Sequence, residues 1–202
     1  MPRTSDGRER LIEAGVELFS QRPYGSIGVA ELCSRAGVNK GSFYYFFASK
    51  EALALAVIDR HWTWQKGVWA GILDGPGSLL DRLRGLFDAT AQMQVDAVTG
   101  TGWVAGCLFG NLALEVSSQN EPVRLRLQEI FDEQIGMISS RLASAVESGE
   151  LQSVTDVDGA AKAIVAQLEG LVLFAKVFND PSQLDALWQN SLALLGLAPA
   201  RA

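Results

Sequence analysis

The sequence contains few of the residues from which metal sites and disulfide scaffolds are built. Its 202 residues include one histidine, His61, and two cysteines, Cys33 and Cys107. One histidine excludes a multi-histidine metal site, and cysteines this far apart form no Cys-x-x-Cys cluster. We therefore expect no metal, no cofactor and no structural disulfide.

A secretory signal and a long hydrophobic run are also missing. The chain opens with MPRTSDGRER, which is polar and charged. No apolar run approaches the roughly 18 to 20 residues that span a bilayer. We expect a cytoplasmic protein with no membrane partner, and 48% hydrophobic residues suggest a sizeable globular core.

The net charge of -6 argues at first against nucleic-acid binding, because duplex binding normally requires a basic surface. The charge is unevenly distributed, however. Residues 1–50 hold seven basic and five acidic side chains, a charge of +2, which leaves -8 for the remainder. The chain thus combines a mildly basic N-terminal part with an acidic body.

Helical periodicity runs through almost every segment. It predicts short helices near 5–21, 29–36 and 40–47, with Gly37 as a left-handed C-cap and Asn39 as an N-cap. Longer helices are predicted near 50–73, 79–98, 102–118, 122–148, 156–178 and 181–196. The expected fold is all-α with about nine helices, divided into a three-helix head over 1–50 and a helical body over 51–202.

The segment Val29–Leu53 has the pattern of a helix-turn-helix, whose second helix lies in the DNA major groove. Phe43 and Phe47 share the inward face of that helix. Ammonium and hydroxyl groups on its outer face suit phosphate oxygens and base edges. The alternative is an ordinary helical hairpin with surface aromatics, which two tyrosines beside two phenylalanines make unattractive.

The run AGVNKGSFYYFFASKEAL resembles the helix-turn-helix of TetR-type transcriptional repressors, whose pattern is AGV-x-x-G-x-LYYHF-x-SKE. The resemblance implies a homodimer that binds operator DNA through Asn39 to Phe47 and is released by a small-molecule inducer. Two positions depart from the pattern: Phe46 replaces a common His, and Gly28 replaces a capping Thr or Ser. Tyr44 and Lys50 are expected to hold phosphates. The predicted DNA-binding residues are Gly28, Arg35, Asn39, Lys40, Gly41, Ser42, Tyr44, Tyr45 and Lys50.

In the body, the predicted helix 102–118 would place Trp103, Cys107 and Asn111 on one face, as in a pocket with a few polar groups. Without further information, the favoured interpretation of Cys107 is a small buried core residue, as most free cysteines are. AGCL and Lys176 resemble the family branch that represses reductases for N-ethylmaleimide-type electrophiles, where a cysteine and a lysine form the sensor. Covalent and noncovalent sensing both remain open. The predicted effector residues are Trp64, Trp103, Cys107, Asn111, Phe174 and Lys176.

The last two predicted helices carry apolar faces that two copies of the chain could bury in a four-helix bundle. The predicted dimer-interface residues are Ile164, Leu168, Val172, Leu184, Leu187, Trp188, Ser191 and Leu195.

Two other classes of protein compete with a regulator. An enzyme would need Cys107 as nucleophile and His61 as base, but no orienting carboxylate, phosphate loop or cofactor fingerprint accompanies them. We therefore expect no enzymatic activity. A helical small-molecule-binding or thiol-redox protein without DNA binding would keep the fold, but it leaves the aromatic recognition helix unexplained.

Overall fold

A computed structural model describes residues 4–152 and 154–197 of the chain. Within these ranges it has nine α-helices, two short 3₁₀ helices and no strand, which confirms the predicted all-α class. The 3₁₀ helices are Tyr24–Ser26 and Pro181–Asp185. The α-helices are α1 (Thr4–Gln21), α2 (Val29–Ala36), α3 (Lys40–Phe46), α4 (Lys50–Leu73), α5 (Leu79–Thr101), α6 (Leu108–Val116), α7 (Glu121–Glu147), α8 (Val157–Phe178) and α9 (Ala186–Leu194).

Local sequence determines where several helices begin and end. Gly37 closes α2 with a left-handed φ of 62°, as predicted. The Asn39 side chain accepts a hydrogen bond from the Ser42 N–H at 2.7 Å and so caps α3, which was also predicted. Ser78 and Asp81 form a reciprocal capping box at the start of α5. Each of these interactions joins residues within four positions of one another.

The chain divides into two compact units. The first contains residues up to Gln65 together with Leu108–Ile130, and the second contains Lys66–Cys107 together with Phe131 onward. In the first unit α1 packs on α2, α3 and α6. In the second unit α8 packs on α9 and on the 3₁₀ helix Pro181–Asp185, which α5 also contacts. The N-terminal helices therefore share one core with α6.

In the second unit, two ion pairs show that the end of α4 and α7 run in the same direction. Lys66 pairs with Glu133 at 2.6 Å and Arg141 pairs with Asp74, just beyond α4, at 2.7 Å. Both pairs join residues 67 positions apart, and a constant separation is possible only between segments that run parallel. In the first unit, Arg126 of α7 pairs with Asp59 of α4 at 2.7 Å.

The prediction of one continuous helix over 102–118 is wrong. Helix α5 ends at Thr101, and Gly102 and Gly106 follow with φ values of 82° and 79°. Right-handed helical backbone cannot pass through a residue with positive φ, so α6 begins only at Leu108. Trp103 and Cys107 consequently lie in a loop and do not share a helix face with Asn111.

The single helix predicted over 181–196 is also wrong in detail. The structure divides this segment into the 3₁₀ helix Pro181–Asp185 and α9. Asp180 caps the first piece by accepting a hydrogen bond from the Ser182 N–H at 3.0 Å.

The face predicted to form the dimer interface is buried inside one chain. Seven of its eight residues are almost completely inaccessible, and a side chain without exposed surface has none to offer a partner. The eighth, Trp188, is half-buried, with its ring 6.4 Å from that of Phe87. Periodicity identifies an apolar face but not which chain covers it. The seven buried residues are Ile164, Leu168, Val172, Leu184, Leu187, Ser191 and Leu195.

Neither a bilayer-crossing helix nor a metal-binding group is found in the part of the chain that the structure describes. No helix there has the length and hydropathy needed to cross a membrane. No three His, Cys, Asp or Glu side chains in that part are grouped so that they could hold a metal ion.

Replacing Gly37 by alanine tests the left-handed turn between α2 and α3. We expect Gly37→Ala to lower the free energy of unfolding by about 1 kcal/mol or more, because a Cβ disfavours positive φ. Gly71→Ala, at an exposed position inside α4 with open space around it, should raise that free energy by up to about 1 kcal/mol. Urea unfolding measures both, and equal effects of the two substitutions would contradict the expectation.

Candidate functional site

Helices α2 and α3 pack against each other and against α1 in the geometry expected of a helix-turn-helix. Phe43 and Phe47 are buried with ring centroids 6.1 Å apart, which confirms their inward orientation. Cys33 is buried on α2, and burial raises the pKa of its thiol while the nearby Lys40 charge opposes that shift. Cys33 is therefore a core residue.

The outer face of α3 is polar and aromatic. Lys40 and Gly41 are exposed, and Ser42 is half-buried. Tyr44 and Tyr45 expose 51% and 75% of their surface. The Tyr45 ring packs edge-on against Phe46 at 5.0 Å, which supports it from one side. An ammonium and hydroxyl groups thus share one exposed surface.

Three other predicted DNA-binding positions have internal contacts. Asn39 uses its side chain as the N-cap of α3, and Gly28 begins α2 without a side-chain cap. The Arg35 guanidinium bonds to the Glu17 carboxylate, with Nε at 2.8 Å. Their contacts with DNA stay predictions.

Lys50 makes internal contacts, and the phosphate contact predicted for it stays a prediction. Its Nζ donates to the carbonyl oxygens of Tyr24 at 2.9 Å and Ile27 at 3.0 Å, and it lies 4.0 Å from the Tyr24 ring centroid. Burial lowers the pKa of this ammonium. Lys50 therefore fixes the 3₁₀ helix Tyr24–Ser26, which leads into α2.

Glu115 on α6 holds the other side of the same 3₁₀ helix, a role that was not predicted from the sequence. Its carboxylate accepts hydrogen bonds from the Tyr24 N–H at 2.7 Å and from the Gly25 N–H. A Cβ at Gly25 would lie 3.0 Å from Glu115 Oε1, so glycine permits this close approach. Burial raises the pKa of the Tyr24 phenol, and the charges of Glu51 and Glu115 raise it further. An acidic residue near the end of the apolar helix LFGNLALEV is the only sequence signal for this contact.

In the second unit, the loop Gly102–Cys107, which we call the cysteine loop, is held by two amide side chains. The buried Gln94 amide accepts from the Gly106 N–H at 3.0 Å and donates to the Gly106 carbonyl at 3.3 Å. Asn179, at the end of α8, accepts from the Val104 N–H at 2.9 Å and donates to the Gly102 carbonyl at 3.0 Å. Four hydrogen bonds therefore fix the backbone on both sides of Ala105.

The cysteine loop brings Cys107 to Lys176 and Glu169 of α8. Lys176 Nζ donates to the Ala105 carbonyl at 3.1 Å and interacts electrostatically with Cys107, while burial lowers its pKa. Glu169 is hydrogen-bonded to Cys107, and burial raises the pKa of its carboxyl while that hydrogen bond opposes the shift. Glu169 and Lys176 are seven positions apart, which places them on one helix face. The family resemblance paired Cys107 with Lys176 but not with Glu169, for which the seven-residue spacing from Lys176 was the available sequence signal.

The remaining predicted effector residues differ in exposure and in the unit to which they belong. Trp103 is 69% exposed in the cysteine loop, and Phe174 is 52% exposed on α8. Trp64 is exposed on α4 and Asn111 is half-buried on α6, both in the first unit. Their roles in effector binding stay predictions.

His61, the base considered for an enzyme, is enclosed by aromatic rings. Its ring lies 5.4 Å from that of Trp64 and 5.3 Å from that of Phe109. Burial lowers the pKa of the imidazole. His61 therefore serves the packing of α4 against α6.

Two protein families match the chain. The family described as "Bacterial regulatory proteins, tetR family" matches residues 11–57, and "Tetracyclin repressor-like, C-terminal domain" matches residues 80–190. The first match covers the helix-turn-helix, and the second covers more than half of the chain.

Similar proteins extend over nearly the whole length. The transcriptional regulator AcuR of Cereibacter sphaeroides is 33% identical over 92% of this chain and 83% of its own. The transcriptional repressor NemR of Escherichia coli is 30% identical over 93% of this chain and 91% of its own. The crystal structure of E. coli NemR in its reduced form superposes with a TM-score of 0.81 at 28% identity, covering 94% of this chain and 97% of that one.

The helix-turn-helix, the all-α fold and these matches define a transcriptional regulator with an N-terminal DNA-binding domain and a C-terminal ligand-binding domain. The chain belongs to the TetR family. Regulators of this family bind operator DNA and small-molecule ligands and act as dimers.

Removing the Glu115 carboxylate tests its hold on the 3₁₀ helix Tyr24–Ser26. In Glu115→Ala we expect the amide hydrogens of Tyr24 and Gly25 to exchange about 10- to 100-fold faster, because hydrogen bonds to a charged acceptor are lost. Hydrogen exchange with residue resolution measures the change. Glu31→Ala, which removes a carboxylate bound to Arg22, is the matched control and should leave both rates unchanged. Equal exchange rates in Glu115→Ala and the unmodified protein would contradict the assignment.

Proposed function

We propose that this TetR-family regulator is a repressor that binds a palindromic operator as a dimer and is released when an electrophile modifies Cys107. The observation that carries the proposal is the cluster of Cys107, Lys176 and Glu169 at a loop held by four hydrogen bonds. The similarity of this chain to NemR, a protein named as a repressor, supports the assignment as a repressor.

The DNA-binding domain over residues 1–50 reads the operator with the outer face of α3. Lys40 supplies charge to phosphate, and the hydroxyls of Ser42, Tyr44 and Tyr45 donate hydrogen bonds to phosphates or base edges. Exposure of both tyrosines supports this assignment. A dimer presents two copies of α3 to two half-sites, so the operator is roughly palindromic.

The exposed apolar surface of α8 is the part of the chain that we assign to the dimer interface. Leu173, Phe174, Val177 and Phe178 each expose more than two-fifths of their surface there, and α9 adds Leu194. Large exposed apolar patches are typical of interaction surfaces, and dimerisation would remove this one from water. This places the interface on the opposite face of α8 from the buried one predicted from periodicity.

Sensing begins with the Cys107 thiol. The Lys176 ammonium favours the thiolate form, which is the nucleophile in reactions with electrophiles. Cys107 directly precedes Leu108, the first residue of α6, and Glu115 on α6 holds the 3₁₀ helix that leads into the helix-turn-helix. An adduct on Cys107 that displaces α6 would therefore disturb the support of α2.

Substitution of Lys40 tests the DNA surface. We expect Lys40→Ala to weaken operator binding at every sequence tested and to reduce the slope of log affinity against log salt by about two for a dimer, because each head loses one phosphate contact. Gel shifts at several salt concentrations measure both quantities. Lys162→Ala, which removes an exposed lysine from α8, is the control and should leave the slope unchanged. An unaltered slope in Lys40→Ala would contradict this role.

Substitution of Cys107 tests the sensor. The Cys107→Ser protein should bind operator DNA normally and stay bound after treatment with N-ethylmaleimide, whereas the unmodified protein and Cys33→Ala should be released. Gel shift, combined with mass spectrometry to locate the adduct, gives both results. Release of the Cys107→Ser protein by N-ethylmaleimide would refute covalent sensing at this thiol and favour a noncovalent effector.

A further inference from the structure

Glu169 is the acidic group that the structure adds to the Cys107 and Lys176 pair. It lies half-buried on α8, two turns before Lys176, and its carboxyl is hydrogen-bonded to the Cys107 thiol. Removing a carboxylate from water is costly unless a donor or a cation accompanies it, and here the thiol supplies the donor. The hydrogen bond gives a direct path for a proton between sulfur and oxygen.

We propose that Glu169 is the base that accepts the Cys107 proton when the sulfur attacks an electrophile. The proposal rests on the covalent sensing function proposed above and adds a residue to its chemistry. It predicts that a reactive Cys107 depends on the ionised carboxylate of Glu169 and not only on the ammonium of Lys176.

The addition of the Cys107 thiol to an α,β-unsaturated carbonyl compound conserves atoms and electrons. The Cys107 S–H proton passes to a Glu169 oxygen, and the sulfur electron pair forms a bond to the β-carbon of the electrophile. The electron pair of the carbon–carbon double bond moves toward the carbonyl and forms an enolate. The enolate then takes a proton at its α-carbon from Glu169, which returns to the carboxylate, so the addition needs no oxidant or reductant.

The charges around the thiol fit this role. A carboxylate alone would repel a thiolate, but Lys176 places a positive charge beside the same sulfur. Burial raises the pKa of Glu169, which makes it a stronger proton acceptor than an exposed carboxylate. The side chains of Gln94 on α5, Asn179 at the end of α8 and Thr101 also bind the backbone of the cysteine loop, and all three are neutral. The titratable groups described in contact with Cys107 are Glu169 and Lys176.

The test is the rate of Cys107 alkylation by N-ethylmaleimide in the full-length protein, followed by mass spectrometry from about pH 5 to about 9. In the unmodified protein the rate should rise as Glu169 ionises and then level off until the thiol ionises by itself. Glu169→Gln keeps a hydrogen-bond acceptor but cannot take the proton, so the rate of alkylation near pH 7 should be about 100-fold lower than in the unmodified protein. Across the whole pH range, the rate of this variant should climb steadily without a plateau. Glu147→Gln, which removes an exposed carboxylate from α7, is the matched control and should retain the unmodified profile.

A Glu169→Gln protein that reacts as fast as the unmodified protein, or faster, would overturn the role of Glu169 and leave sensing at Cys107 intact. Failure of the unmodified protein to react at Cys107 would overturn both proposals. If Glu169→Gln does not fold, Glu169→Asp and the unmodified protein decide the question. A plateau in the pH profiles of both proteins supports the role of Glu169 as the base, and a steady rise in both profiles excludes that role.

Discussion

The candidate sensor depends on the two hydrogen bonds between the buried Gln94 amide and the backbone of Gly106. The left-handed φ of Gly106 interrupts the helix and exposes an N–H and a carbonyl that would be costly to bury without partners. Gln94 satisfies both groups, and Asn179 does the same for the backbone on either side of Trp103. The loop can therefore remain non-helical, and Cys107 contacts residues of α8 instead of residues one turn away along a continuous helix.

The acidic charge of the chain is compatible with DNA binding because few basic groups are needed on the recognition surface. Arg22 and Arg35 are engaged with Glu31 and Glu17, and Lys50 is turned inward. The outer face of α3 instead offers one lysine together with hydroxyl groups. Contacts of this kind position a protein on DNA by geometry, and an acidic body limits nonspecific attachment.

The 3₁₀ helix before α2 links the DNA-binding helices to α4 and α6. Lys50 of α4 binds its carbonyl groups, and Glu115 of α6 binds its N–H groups, so opposite charges hold opposite ends of the peptide dipoles. All of α6, and α4 from Glu51 onward, lie in the sequence region first assigned to a separate body. The part of α4 up to Gln65 and all of α6 share a compact unit with the helix-turn-helix, which gives a physical basis for communication with the DNA-binding surface.

The sequence by itself determined the all-α class, the helix-turn-helix and its caps at Gly37 and Asn39, because periodicity and capping act between residues a few positions apart. It also indicated that Cys107 and Lys176 belong together, through a family resemblance. Only the tertiary structure decided that residues 102–107 form a loop, that the apolar face of α8 is covered within the chain, and that Glu115 and Glu169 reach their partners. Glu115 and Tyr24 are separated by 91 positions. Contacts between residues so far apart in the sequence depend on how whole helices pack, and no local sequence pattern specifies that packing.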